Sequence, residues 1–232
     1  MRIFAGVKTE DQFSAALRHA DEIIADISLA GKLGNAGNAW LLLPEVLREN
    51  KFPAVKEAVL SARGIRGFVI QNIDEIGLLK ELGRTEPVIC GELLYCCNSE
   101  AVAFFKSVFQ DIGFIAPAEL TDEELRRLEN VCGVSFIYKV YGRQQLMTTA
   151  QMIDGRLTNE KGVSYDAVCD KGRGLSRIYT GKPVSMLDKK QAWQGRDILI
   201  DFTTESGAEA ADILAGMSAA DFTRGHHYRG IV

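Results

Sequence analysis

The chain has 232 residues, enough for one barrel-sized domain or two small ones. With 47% hydrophobic and 25% charged residues it can bury a core, which excludes a disordered tail. A net charge of −4 offers no broad basic surface for nucleic acid, and no apolar run is long enough to cross a bilayer. The first residues, Met1-Arg2-Ile3-Phe4-Ala5, enter a strand directly without the layout of a signal peptide. Five cysteines, an odd number without framework spacing, fit a reducing compartment, so a cytoplasmic location is expected.

Residues 2–7 read as a strand, and Thr9-Glu10-Asp11-Gln12 opens a capped helix running to His19. Residues 21–27 form the second strand. The Gly- and Asn-rich stretch 30–38 reads as a loop or a poor helix, and the almost wholly apolar 39–44 as a strand covered on both faces. Helical spacing over 52–63 places Val55, Val59 and Leu60 on one face. Strands at 67–71, 87–95 and 113–116 alternate with helices at 73–82 and 99–109. Asp74 and Glu75 suit the positive N-terminal end of the first of these helices, and Thr121-Asp122-Glu123-Glu124 opens the next as a capping box. Glu123 and Glu124 read as ordinary first-turn charges. Residues 134–141 are the seventh strand.

The pattern changes after Met152. Residues 155–167 read as a hairpin turning at Asn159-Glu160-Lys161-Gly162, Lys171-Gly172-Arg173-Gly174 as a second turn, and 178–186 as a segment pairing back. An eighth strand at 197–202 and an Ala-rich helix at 208–217 follow, then a polar tail from Asp221 that includes His226-His227-Tyr228-Arg229-Gly230. Eight strand–helix units predict an irregular TIM-like (β/α)8 barrel with a hairpin-rich insertion before the last strand. The expected division is 1–142, 143–196 for the insertion, and 197–232. An open doubly wound sheet is the alternative; no strand leads into a G-x-G-x-x-G turn that would support a dinucleotide crevice.

A barrel places its site at the C-terminal strand ends. That collects Lys8, Asp26, Glu45, Asn72, Asn98, Glu119, Arg143, Asp201 and Glu205, a set able to act as acid and base or to hold a cation with oxygen ligands. Arg173, Arg177, Lys182, Lys189 and Lys190 form a local basic group, read as a solvated hairpin face before a phosphate site. Cys90 reads as core. Cys96 and Cys97 lack a histidine base, because His19 sits on the first helix and His226-His227 in the tail. No Cys-x-x-Cys pair or G-x-S-x-G turn occurs, which excludes the usual zinc and serine-nucleophile signatures.

The run Val140-Tyr141-Gly142-Arg143-Gln144-Gln145-Leu146-Met147 resembles the V-Y-G-R-x-P-L-M segment of the collagenase-like peptidases, family U32. Ala118-Glu119-Leu120 resembles that family's S-P-E-L, and Glu92-Leu93-Leu94-Tyr95 through Asn98 its D-x-x-L-x-x-x-N strand end. Residues 170–187 resemble its closing C-R-x-x-I-Y-N-x-x-P-L segment. The pieces fall in family order over nearly the whole chain, most like the C-terminal half of longer members. The resemblance implies a barrel-like core and cleavage of collagen-type peptides. It also implies relatives that hydroxylate RNA bases or a quinone precursor with an iron–sulfur cluster on four cysteines.

Two of the cluster positions, counted from Gly142, fall here on Gln145 and Met152. Cys169 lies near the third or fourth ligand region, and its companion falls near Gly174. Iron–sulfur ligation wants thiolates, so a chain without the cluster, and without another cofactor, is expected. If the chain acts as such a peptidase, Glu119 at the mouth is the expected general base, Arg143 the holder of an anionic group and Tyr141 the substrate-positioning group; spacing does not select those roles. The other expectations are a binding module that pairs with a second U32-type chain, or forms half of a larger enzyme, through exposed apolar surface around 155–187, and an RNA-modifying subunit using the insertion's basic residues.

Overall fold

The computed structural model describes residues 1–216 and 221–224. Eight parallel strands close into a barrel: β1 (Ile3–Val7), β2 (Glu22–Asp26), β3 (Ala39–Leu42), β4 (Gly67–Ile70), β5 (Val88–Cys90), β6 (Ile112–Ile115) and β7 (Phe136–Gly142) in chain order, closed by the last strand, Ile198–Asp201. That last strand pairs with both β1 and β7, and the β6–β7 pairing completes the ring. Interior positions follow from the two-residue alternation of a strand. Phe4, Ile24, Trp40, Val69, Ile89, Ile115, Ile137 and Leu199, one from each strand, pack together inside the barrel, while the alternate residues face an outer helical layer. The TIM-like (β/α)8 architecture is therefore the observed one, and the sheet is closed rather than open and doubly wound.

The outer layer holds α1 (Glu10–His19), α2 (Phe52–Ser61), α3 (Asp74–Glu81), α4 (Ser99–Val108) and α5 (Asp122–Cys132). Capping boxes at Thr9 and Thr121 form as the sequence predicts, each hydroxyl accepting the N–H of the residue three on. The barrel is irregular at two places. Between β2 and β3 a 3-10 turn, Ile27–Lys32, stands in for a full helix. Between β7 and the last strand the chain makes a separate antiparallel sheet from β8 (Gln145–Thr149), β9 (Gly155–Thr158), β10 (Ser164–Asp170) and β11 (Leu175–Thr180), in the order β8-β11-β10-β9. It then returns through β12 (Val184–Ser185), which pairs antiparallel with β7, and a four-residue helix, α6 (Lys190–Trp193). The closing barrel strand is β13 (Ile198–Asp201), followed by α7 (Gly207–Leu214).

Four expectations are corrected. The strand expected over 87–95 ends at Cys90, because the chain then turns through a 3-10 segment at Glu92–Leu94 and reaches φ +48° at Tyr95. Leu60 is 49% exposed while Val55 and Val59 are buried; the α2 stripe is narrower than the spacing suggested. Residues 178–186 are not one returning strand: β11 belongs to the insertion sheet and β12 to the barrel. The basic residues of the insertion are not a uniformly solvated face, since Arg173 and Arg177 turn inward to carboxylates. No described helix is long and apolar enough to cross a membrane.

Candidate functional site at the barrel mouth

The insertion sheet lies over the C-terminal end of the barrel, and between them is a partly open cavity of about 60 Å³. Its walls come from strand ends (Lys8, Asp26, Gln71, Asp201), the turns after β3 and β5 (Glu45, Glu92), and the insertion (Arg143, Gln145, Arg173, Arg177, Tyr179). Alternation puts many of them there. Two residues beyond interior Phe4, Ile24, Val69, Ile137 and Leu199 come Gly6, Asp26, Gln71, Lys139 and Asp201 on the same face. The absence of a side chain at Gly6 makes the space: a Cβ there would stand 2.4 Å from Asp201 Oδ1.

Every carboxylate lining the cavity is matched by a cation. Lys139 Nζ lies 3.1 Å from Glu92 Oε1 and 3.3 Å from Asp201 Oδ2. Arg177 makes a two-pronged contact with Glu45, Nε to Oε1 at 2.6 Å and Nη2 to Oε2 at 3.0 Å. Arg173 pairs with Asp26, and both arginines also contact Asp170 of β10. Arg143 pairs with Asp166 at 3.0 Å and donates to the Thr180 carbonyl and the Thr204 hydroxyl. The Asp26 and Glu45 pairs tie the insertion to the barrel rim.

Burial works against each ionised form, and the partners win. Desolvation would raise Asp26 and Glu45, yet Arg173 and Arg177 hold them below the ordinary carboxylate range. Desolvation would lower Lys139, yet Glu92 and Asp201 hold it above the ordinary lysine value. Such carboxylates stay ionised acceptors and do not serve as proton donors near neutral pH. No nucleophile joins them: burial, with the charge of Glu119 next in effect, pushes the Cys97 thiol up to about 11, the opposite of an activated thiolate.

Of the nine rim residues expected from sequence, Lys8, Asp26, Glu45, Arg143 and Asp201 line the cavity. Asn72 supports it by donating to the Glu45 carbonyl at 3.1 Å. Glu205 accepts the Thr203 and Thr204 N–H groups and the Tyr141 hydroxyl, which fixes the loop after β13. Asn98 caps α4. Glu119 sits in the turn after β6 and does not line the cavity. Tyr141 is also not in it. A register irregularity between β7 and β13 turns its ring toward Phe202, 6.1 Å between centroids, in the outer layer. The proposed trio Glu119, Tyr141 and Arg143 is therefore not gathered at one point. Glu92, Lys139, Arg173, Arg177 and Tyr179 are missing from the sequence-based rim; Lys139 is a lone charge in an apolar strand, and Arg173 and Arg177 stand out only as part of a basic group.

The residues at the cluster positions do not fit an iron–sulfur centre. Gln145 donates its amide to the Thr148 hydroxyl at 3.0 Å, Met152 is exposed, and Gly174 has no side chain. Cys169, on β10 opposite Ser176, is the one thiol among them. Among the described residues no group of three or more His, Cys, Asp or Glu side chains could hold a metal ion. His226 and His227 lie outside the described residues. Cys90 is fully buried, as expected of core packing.

Glu75, read from sequence as a favourable first-turn charge on α3, is instead fully buried. Its Oε2 accepts the N–H groups of Gln71 and Asn72 at 2.6 and 3.1 Å, and its Oε1 has no partner among the described residues. Burial dominates and pushes its pKa up to about 8, with Glu45 and Asp74 adding to the rise. No family model matches the chain, and no curated protein matches it significantly.

Two predictions follow from opposite signs of charge burial. Arg177→Met leaves Glu45 unpaired and is expected to destabilise the protein by roughly 3 kcal/mol in urea unfolding, with faster hydrogen exchange across residues 145–180. An unchanged midpoint would show that the latch contributes nothing. Glu75 binds more protons folded than unfolded between its ordinary value and about 8, so stability falls as pH rises through that window. Glu75→Gln is expected to flatten a slope of at most about 1.4 kcal/mol per pH unit, read from unfolding midpoints between those limits.

Proposed function

We propose that this chain is a cytoplasmic U32-type barrel module that binds at its capped mouth and does not itself cleave peptides. The observation that carries this is the complete pairing of Asp26, Glu45, Glu92 and Asp201 with lysine or arginine around a cavity of about 60 Å³. Asp26 and Glu45, held ionised by Arg173 and Arg177, offer no general acid, and a cavity of about 60 Å³ does not take an extended peptide. The family resemblance over 140–147 supports the U32 part of the reading, and the lost thiolate positions at Gln145 and Met152 support a member without the cluster. RNA binding is less supported, because Arg173 and Arg177 are engaged with carboxylates.

Purified protein is expected to leave gelatin and fluorogenic peptides uncut, and an anaerobic preparation to carry no stoichiometric iron or sulfide. Turnover that Glu119→Gln abolishes would instead establish a peptidase, and bound iron with sulfide would overturn the cluster-less reading.

A second reading, a subunit paired with another U32-type chain, is favoured by the edge strand β8. Leu146 and Met147 on it, and Met152 just beyond, are all about half exposed. Sedimentation with a U32-type barrel carrying all four cysteines is expected to give a one-to-one complex that Leu146→Glu dissolves. Two independent species at micromolar concentration would remove this reading.

A further inference from the structure

Two thiols meet in the packed layer between the barrel and its helices. Cys90 ends β5 on the helix-facing side and is fully buried; Cys96, in the turn that follows, is 2% exposed and belongs to the same core cluster. The chain between them doubles back. Gly91 donates its N–H to the Ile70 carbonyl, Glu92–Leu94 make one 3-10 turn, and Tyr95 takes φ +48°, the one left-handed residue other than glycine among the described residues. A tyrosine is strained in that conformation, and at 54% exposure it gains little packing in return. The strained turn brings the Cys96 thiol back into hydrogen-bonding contact with Cys90.

The two thiols are not equivalent. The hydrogen bond from Cys90 lowers Cys96 against the effect of burial, while the same contact and burial together raise Cys90. One sulfur therefore ionises first and the other keeps its proton, which is the division of labour between an attacking and a resolving cysteine. Cys97 is partly exposed, but burial pushes its thiol up and leaves it a poor nucleophile. Cys132 and Cys169 lie on α5 and β10, away from this turn.

We propose that Cys90 and Cys96 form a redox-active dithiol that hydrogen peroxide closes to an intramolecular disulfide, fixing the turn that carries Glu92. The Cys96 thiolate attacks one peroxide oxygen, the O–O bond breaks and hydroxide leaves, giving a sulfenic acid. The Cys90 sulfur then attacks the Cys96 sulfur, the S–O bond breaks, and the Cys90 proton leaves with that hydroxide as water. Two thiols are oxidised to one disulfide and one peroxide is reduced to two waters. Peroxide is hardly larger than water, which suits a sulfur with so little exposure. Glu92 is one of the two carboxylates on Lys139, so the oxidised turn is felt at the barrel mouth.

Peroxide treatment of the reduced full chain, alkylation of the remaining thiols in denaturant and mass spectrometry test it. Cleavage after Glu92 separates Cys90 from Cys96, so the bond appears as two joined peptides. The joined pair is expected in the wild type and in Cys97→Ala, to be released by dithiothreitol, and to be lost in Cys96→Ala. Cys90→Ala is expected to stop at the sulfenic acid of Cys96, trapped by dimedone. Hydrogen exchange over 92–95 is expected to slow at least about threefold in the oxidised chain. Absence of the joined peptides from the wild type, their persistence in Cys96→Ala, or a bond between chains would overturn the proposal. Unchanged exchange over 92–95 would overturn its link to the mouth. The wild-type and Cys97→Ala results decide the matter even if the core variants fail to fold, and none of these outcomes depends on what the mouth binds.

Discussion

The mouth of this barrel is governed by the cost of holding charge away from water. Lys139 projects from a strand whose neighbours are apolar into the barrel interior, where an isolated ammonium would be expensive. Glu92 and Asp201 compensate it from opposite directions in the chain, one in the turn after β5 and one at the end of β13. Asp201 fits only because Gly6, its register partner on β1, has no side chain. Two strands and a turn are thus tied together by one cation.

The insertion extends the same logic outward. Arg173 and Arg177 reach from the second sheet to Asp26 and Glu45 on the rim, and Asp170 on β10 braces both guanidinium groups. Buried pairs of this kind add little net stability relative to apolar packing, but losing one member is costly, so they specify geometry. The hairpin sheet is seated with Asp26 and Glu45 both matched by its arginines. That seating covers the mouth and holds Asp26 and Glu45 ionised. Lys8, stacked on Tyr179 and lacking a carboxylate, is the exception within the balance.

Much of the scaffold was legible in the sequence because its signals are local. Thr9 and Thr121 are followed three residues later by Gln12 and Glu124, and the capping boxes form. The turn at 159–162 and the apolar strands were visible for the same reason. The site was legible only in part. Asp26 and Asp201 follow interior strand residues by two steps and Lys8 follows Phe4 by four, so barrel geometry alone brought them to the mouth. Tyr141 did not follow, because a register irregularity between β7 and β13 reverses its facing. Glu75 had the right position for a helix-dipole charge and the wrong environment, since nothing in its neighbours' identities announces that the chain will cover it.

The sequence by itself determined the alternation of strands and helices, the break after Arg143, the hairpin insertion and the loss of thiols at the positions the resemblance singles out. These are properties of periodicity, capping and residue type, which act over a few positions. Only the tertiary structure decided that the insertion folds back over the barrel and that Arg173 and Arg177 serve as latches. It also decided which charges are paired. Those partners are 132 to 147 residues apart in the chain, and a pair so distant exists only once barrel closure has brought the two ends of the loop together.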